Sequence, residues 1–226
     1  MKVITWNLGY WQHQSRHDEA WAYLRDEIKP DLALLQEASP PQRREQEHLL
    51  FKPIHQSWGT ALYTRGMPLK ELQVKGYPTR VVAALMEVSS GRKIAAVSVH
   101  APIIRNRVFP YLDKIFDEIE RLVGSHSFVV GGDLNTARLA EKVWRGHGHG
   151  PFLERLAESV FFDCTWKFHN AEQQTFFRKG VKYPWQDDHL FVSHDIADQV
   201  KSCDVLKNEV TLRVSDHIPV VTEIAI

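Results

Sequence analysis

The sequence predicts an α/β fold, most simply two packed β-sheets with helices on the outside. Three observations lead there. Short β-type runs, notably residues 2–6, 31–36, 81–88, 93–99 and 128–130, are bounded by Gly, Pro, Asn and Ser. Two longer segments, 15–29 and about 107–123, carry apolar residues at helical spacing. The chain has 226 residues, 43% hydrophobic and 25% charged, an ordinary globular composition with enough length for one large core. No Pro/Ser-rich linker, compositional shift or repeat divides it, so one domain over 1–226 is expected.

Taken in order, the first strand ends with Asn7 at its tip. The helix over 15–29 is expected to start at a Ser15/Asp18 capping box, bury Trp21, Leu24 and Ile28 on one face, and stop at Pro30. The strand 31–36 ends in Glu37, and the strand 93–99 ends in His100. A second helix over 107–123 closes at Gly124. Phe128-Val129-Val130 then form a buried strand, with Gly131-Gly132 expected to release the chain from regular pairing before Asp133-Leu134-Asn135. On an extended chain Asp133 and Asn135 would point to one face and Leu134 into the core. Residues 136–150 read as a loop carrying Trp144, Arg145, His147 and His149. Further β-type runs follow at 165–168, 175–177, 189–192, 200–206 and 218–226.

Charge and cysteine content narrow the function. Lys+Arg and Asp+Glu are both 28, so the excess basic charge typical of tight non-specific binding to duplex DNA is missing. Cys164 and Cys203 are isolated, which argues against a zinc site or a disulfide framework and for a reducing compartment. Trp6, Asn7 and Gly9 interrupt any N-terminal apolar run and no later segment reaches membrane-spanning length, so a cytoplasmic protein is expected. His147 and His149 lack a nearby third ligand and read as part of a flexible loop.

Asn7, Glu37, His100, Asp133, Asn135, Asp188, Asp216 and His217 all sit where an apolar run meets a break, where side chains can converge without occupying the core. In order and context these blocks, Thr-Trp-Asn7-Leu-Gly, Leu-Gln-Glu37, Ser-Val-His100-Ala-Pro, Gly-Gly-Asp133-Leu-Asn135, Asp188-His-Leu-Phe-Val-Ser and Ser-Asp216-His217, resemble the endonuclease/exonuclease/phosphatase superfamily of DNase-I-like phosphoesterases. The resemblance covers nearly the whole chain. It implies a four-layered α/β sandwich of two mixed sheets flanked by helices. It also implies that Glu37 is the principal metal ligand with Asn7 and Asp216 beside it, that Asp133 and Asn135 position and activate the attacking water, and that His100 and His217, the latter held by Asp188, contact the phosphate.

The residue chemistry agrees with those implied roles. Two carboxylates and an amide oxygen are hard donors that suit Mg²⁺, with Mn²⁺ as a substitute, rather than zinc. A carboxylate beside a histidine raises its pKa and fixes its tautomer. The expected reaction is metal-assisted hydrolysis of a phosphoester, foremost a phosphodiester of DNA or RNA. The alternative substrate is a small phosphorylated metabolite or lipid headgroup, and the lesser alternative is a binding relative without activity, which should have lost a ligand or the histidine. His100 stands where the abasic-site branch of the superfamily carries tyrosine, which argues against a dedicated abasic-site enzyme. Arg105, Arg107, Trp144, Arg145 and Arg178 are candidate substrate contacts, through phosphate pairing or base stacking. A monomer without an obligate protein partner is expected.

Overall fold

The computed structural model describes residues 1–226 except 105–107, 109 and 110. Along it the strands are β1 (Lys2–Asn7), β2 (Leu32–Ala38), β3 (Glu47–Pro53), β4 (Gly59–Arg65), β5 (Lys70–Leu72), β6 (Val81–Glu87), β7 (Lys93–His100), β8 (Ser127–Asp133), β9 (Phe161–Asp163), β10 (Asp188–Ser193), β11 (Val200–Val205) and β12 (Val220–Ile224). One sheet has the order β11-β12-β1-β2-β4-β3, the other β5-β6-β7-β8-β10-β9. Each contains one parallel pair, β1 with β2 and β7 with β8, among antiparallel neighbours. The register of these pairs places the polar residues. Asn7 lies beside Gln36, His100 lies beside Asp133, and antiparallel β10 sets its first residue, Asp188, on the other side of Asp133. Directly paired residues share a face of the pleat, so His100, Asp133 and Asp188 project together.

The pleat also sorts the core. Leu32, Leu34 and Leu62 of the first sheet meet Val82, Ile94, Ala96, Val129 and Leu190 of the second. The alternate residues face outward to helices. Ile4, Trp6 and Leu35 pack with Trp21 and Leu24, while Val97, Phe128, Val130 and Phe191 pack with Ile115, Phe116 and Phe152. Each fully buried Val, Leu, Ile or Phe contributes about 1.5–3 kcal/mol, so both sheets are anchored on two sides. The result is the expected four layers.

The helical segments are α1 (Tyr10–His13), α2 (His17–Tyr23), α3 (Tyr111–Val123), α4 (Arg138–Val143), α5 (His149–Ala157), α6 (Cys164–His169), α7 (His194–Ala197) and α8 (Glu209–Val214), with a 3₁₀ turn at Gln14–Arg16 and a π turn at Leu24–Ile28. Several expectations are corrected. The helix expected from 15 begins at 17 without a side-chain cap, because Ser15 lies inside the 3₁₀ turn and Arg16 occupies the cap position. It ends as expected, with Lys29 in the left-handed region ahead of Pro30. Residues 136–150 are not a loop, since α4 and the start of α5 occupy much of them. Residues 165–168 belong to α6 rather than a strand, capped by Asp163, whose side chain accepts from Trp166 N at 3.0 Å. Part of the start expected for the helix at 107 lies outside the described residues.

Gly131 and Gly132 do not release β8 from pairing, because the ladder continues through them to Asp133. They are needed for close approach. A Cβ on Gly132 would sit 1.8 Å from the carbonyl oxygen of Val99, and one on Gly131 would press on His189 O and Leu34. These two glycines let β7 and β10 come close enough to set His100 and Asp188 beside Asp133.

Candidate active site

Asp133 lies at the centre of the site. Its Oδ2 accepts from Asn7 Nδ2 at 2.9 Å. His217 Nε2 stands 3.9 Å from the same oxygen and His100 Nε2 stands 4.0 Å from it. Asp188 Oδ2 is 2.8 Å from His217 Nδ1, and both groups are buried. The segment before β12 is locked to the tip of β1: Ser215 Oγ donates to Asn7 O at 2.8 Å, His217 N donates to Ser215 Oγ at 3.0 Å, and Trp6 Nε1 donates to His217 O at 2.9 Å. The two sheets thus bring Asn7, His100, Asp133, Asp188 and His217 into one network.

The protonation states follow from these contacts. Burial works against charge on His217, but Asp188 and Asp133 together hold its pKa well above the ordinary histidine value. Its Nδ1–H therefore donates to Asp188, and Nε2–H is directed toward Asp133. His100 takes the opposite state, since burial, aided by Arg80 and His217, lowers its pKa to about 3. Arg80 faces His100 Nδ1 at 3.5 Å and can only donate, so the neutral ring carries its proton on Nε2. Burial, reinforced by Asp188 and Glu37, raises the pKa of Asp133 against the opposing pull of His217 and Asn7. Nitrogen donors from Asn7, His100 and His217 thus surround one carboxylate oxygen.

Glu37 reaches the site by a local irregularity of β2. The ladder with β4 shifts register between Leu35 and Ala38, and Glu37 takes a left-handed φ of 46°. A bulge of this kind re-aims a side chain, at a cost of order 1–3 kcal/mol in backbone strain. Trp11 N donates to Glu37 Oε2 at 3.2 Å. Burial raises the Glu37 pKa, the Trp11 N–H, His217 and the Asn7 amide oppose that rise, and nearby Asp216 adds to it. Among the described residues no group of three or more His, Cys, Asp or Glu side chains forms a metal cluster. Asp216 stands near enough to Glu37 to raise its pKa by repulsion, and this partly desolvated carboxylate pair fits a hard divalent cation, while the Asn7 amide turns its Nδ2 to Asp133 and accepts from Gly9 N at its Oδ1 at 3.0 Å.

Asn135 departs from the extended geometry. Its φ is 51°, its backbone N donates to Asp133 Oδ1 at 3.0 Å, and its side-chain Nδ2 donates to Ala101 O at 3.1 Å. The turn still leaves Asn135 on the wall of a cavity of about 860 Å³ beside the network, with Trp144, Phe176, Trp185 and Asp187. Trp144 stacks on Trp185 at 5.2 Å, and Phe176 packs on His217 at 4.8 Å. His147 and His149 also line the cavity, and His149 Nδ1 pairs with Thr136 Oγ1 at 2.8 Å. Arg145 and Arg178 are exposed, while Arg105 and Arg107 lie outside the described residues.

Arg80 and Asp187 were not singled out in the sequence. Arg80 follows a turn with no apolar run to mark it, and its role emerges only when β6 sets it beside His100. Asp187 immediately precedes Asp188, and that doublet was the available signal. Burial, reinforced by Asp133, raises the Asp187 pKa to about 8.

A sandwich with a buried His–Asp pair, a central carboxylate and a second histidine at the strand ends defines the class as a hydrolase of phosphoester bonds. The model of the Endonuclease/Exonuclease/phosphatase family matches residues 4–217, and the chain belongs to that family. Among solved structures it is similar to an AP endonuclease from Archaeoglobus fulgidus, with 19% identity, TM-score 0.76 and all of both chains covered. It is also similar to a 3'-5' exonuclease from Neisseria meningitidis (22% identity, TM-score 0.75, 99% of both chains) and to a 3' phosphatase from Neisseria bound to a product DNA hairpin (21%, 0.76, 99% of both chains). At these identities the likeness is one of fold. Comparison with curated proteins finds no significant match. Among the described residues no helix is long and apolar enough to cross a membrane.

Proposed function

We propose that the chain, acting as one domain over residues 1–226, hydrolyses phosphodiester bonds of nucleic acid with Mg²⁺ or Mn²⁺. The observation that carries this reading is the set of nitrogen donors around Asp133 Oδ2, two of them histidine N–H groups held 3.9 and 4.0 Å away, a spacing open to an incoming phosphate oxygen. The solved likenesses described as an AP endonuclease, an exonuclease and a DNA-bound phosphatase support a nucleic-acid substrate.

Glu37, Asn7 and Asp216 would hold the cation, which when bound neutralises charge on the phosphate as the transition state forms. His217, kept protonated by Asp188 and Asp133, donates its Nε2–H to a non-bridging oxygen. His100 donates from a neutral ring. Asp133 takes the proton of the attacking water. Its pKa, raised by burial above the ordinary carboxylate value, makes it a stronger base for that task. Asn135, tied to Asp133 and Ala101, orients that water or the phosphate.

The test is a panel of single- and double-stranded DNA, RNA, bis(p-nitrophenyl) phosphate and p-nitrophenyl phosphate, assayed with Mg²⁺, with Mn²⁺ and with EDTA. Metal-dependent cleavage of nucleic acid and of the diester is expected. Hydrolysis of the monoester alone would replace this reading with that of a phosphatase on small phosphate esters.

A further inference from the structure

The cavity beside His217 is one of two aromatic features at the site. The other lies on the side of Glu37 and His100. Trp11 is the most exposed of the large hydrophobic side chains described, at 69%. An exposed tryptophan alone needs no explanation, but this one is tied to the catalytic centre twice. Its backbone N–H bonds the Glu37 carboxylate at 3.2 Å, and its ring meets Trp58 edge-on at 6.5 Å. Trp58 in turn lies 5.9 Å from the His100 ring. The left-handed turn at Gly9, with φ 63°, starts the short helix that presents Trp11, and a Cβ there would stand 2.9 Å from Ser215 Oγ, so the turn is braced against the segment carrying His217.

Aromatic rings therefore flank the two histidines on both sides, Trp11 and Trp58 beyond His100, and Phe176 and Trp185 beyond His217. A phosphodiester seated between the histidines would carry one substituent toward each. We infer that Trp11, with Trp58 behind it, is a stacking platform for an unpaired nucleobase, and that the enzyme takes single-stranded or locally unpaired nucleic acid in preference to intact duplex. The inference rests on the nucleic-acid reading of the site. Bases inside a duplex are stacked on one another and offer no free face, whereas those of a single strand do, and stacking on aromatic side chains is the sequence-tolerant way to hold them.

Binding measured in EDTA, where no turnover occurs, tests this directly. A single-stranded hexanucleotide containing 2-aminopurine, and a duplex of the same sequence, are titrated by fluorescence with the wild type, Trp11→Ala and Trp11→Phe. Expected results are at least ten-fold tighter binding of the single strand, a loss of about ten-fold or more of that affinity in Trp11→Ala, and retention of most of it in Trp11→Phe. Duplex bound as tightly as single strand, or Trp11→Ala binding like the wild type, overturns the inference. Hydrolysis of bis(p-nitrophenyl) phosphate by the wild type with Mg²⁺ is followed separately. Turnover of that diester without the Trp11 effect removes only the platform, while the Trp11 effect without turnover removes the catalytic reading and leaves the platform in place.

Discussion

Replacing Asp188 with Asn keeps the shape of the side chain at the start of β10 and removes the charge that holds His217. The contact is 2.8 Å long between buried groups. Burial alone drives the imidazole toward neutrality, so Asp188→Asn lowers the His217 pKa and disturbs its tautomer, and the site loses a charged, oriented donor. Loss of one preorganised donor costs about 10²–10³ in kcat, or about 3–4 kcal/mol. His217→Ala removes the same donor and falls in the same range. If the two residues act as a unit, the double mutant also falls there, instead of at the product of about 10⁴–10⁶. The assay is kcat on bis(p-nitrophenyl) phosphate at saturating Mg²⁺ for both singles and the double, with Tm recorded for each. Multiplicative defects, or near-normal turnover with lowered Tm, would refute the coupled role and leave the pair as a structural contact.

Glu37→Gln should abolish most activity and also the rise in Tm that Mg²⁺ or Mn²⁺ gives the wild type by binding the folded state, while the metal-free Tm stays close to normal; an unchanged Tm response would remove Glu37 from the metal site. Gly132→Ala puts a Cβ 1.8 Å from Val99 O, so the central strands must separate, and a loss of several kcal/mol in urea unfolding, or an insoluble protein, is expected; a wild-type midpoint would contradict the close approach of β7 and β8. His17 is buried, accepts at Nε2 from Ser39 N at 2.9 Å and Trp21 Nε1 at 3.0 Å, and has its pKa lowered by burial to about 4. Because the unfolded chain binds that proton first, the stability contributed by neutral His17 is fully present above pH 6.5 and is lost as pH falls toward 4, by about 3 kcal/mol in all. Urea unfolding from pH 7.5 to 4 should show a fall in stability that is shallower in His17→Gln than in the wild type by about this amount, and parallel curves would exclude His17 as a source.

Local patterning was sufficient for much of this protein. The strand ends at Asn7, His100 and Asp133, the two sheets, and the buried face of Trp21, Leu24 and Ile28 were all legible, because an apolar run and its break are properties of neighbouring residues. The ordered blocks marked Asp188 and His217 as candidates for one unit. Tertiary structure decided the rest. The alternating glycines and histidines of 146–150 mask the start of α5, and Arg138–Val143, though made mostly of good helix formers, is too short a run to stand as a helix alone; both are stabilised by packing that no local window contains, Ala140 against Trp185 and Phe152 against Phe116. The bulge that turns Glu37 into the site depends on the register of β2 with β4, strands paired across an intervening β3. The neutral state of His100 was equally beyond reach: Asp188 was expected to raise the pKa of His217, whereas burial, with Arg80 facing the ring, lowers that of His100, and nothing local marks Arg80 as its neighbour. Proton affinity at a buried site is set by the charges and solvent around it, and those are assembled only when both sheets close over Asp133.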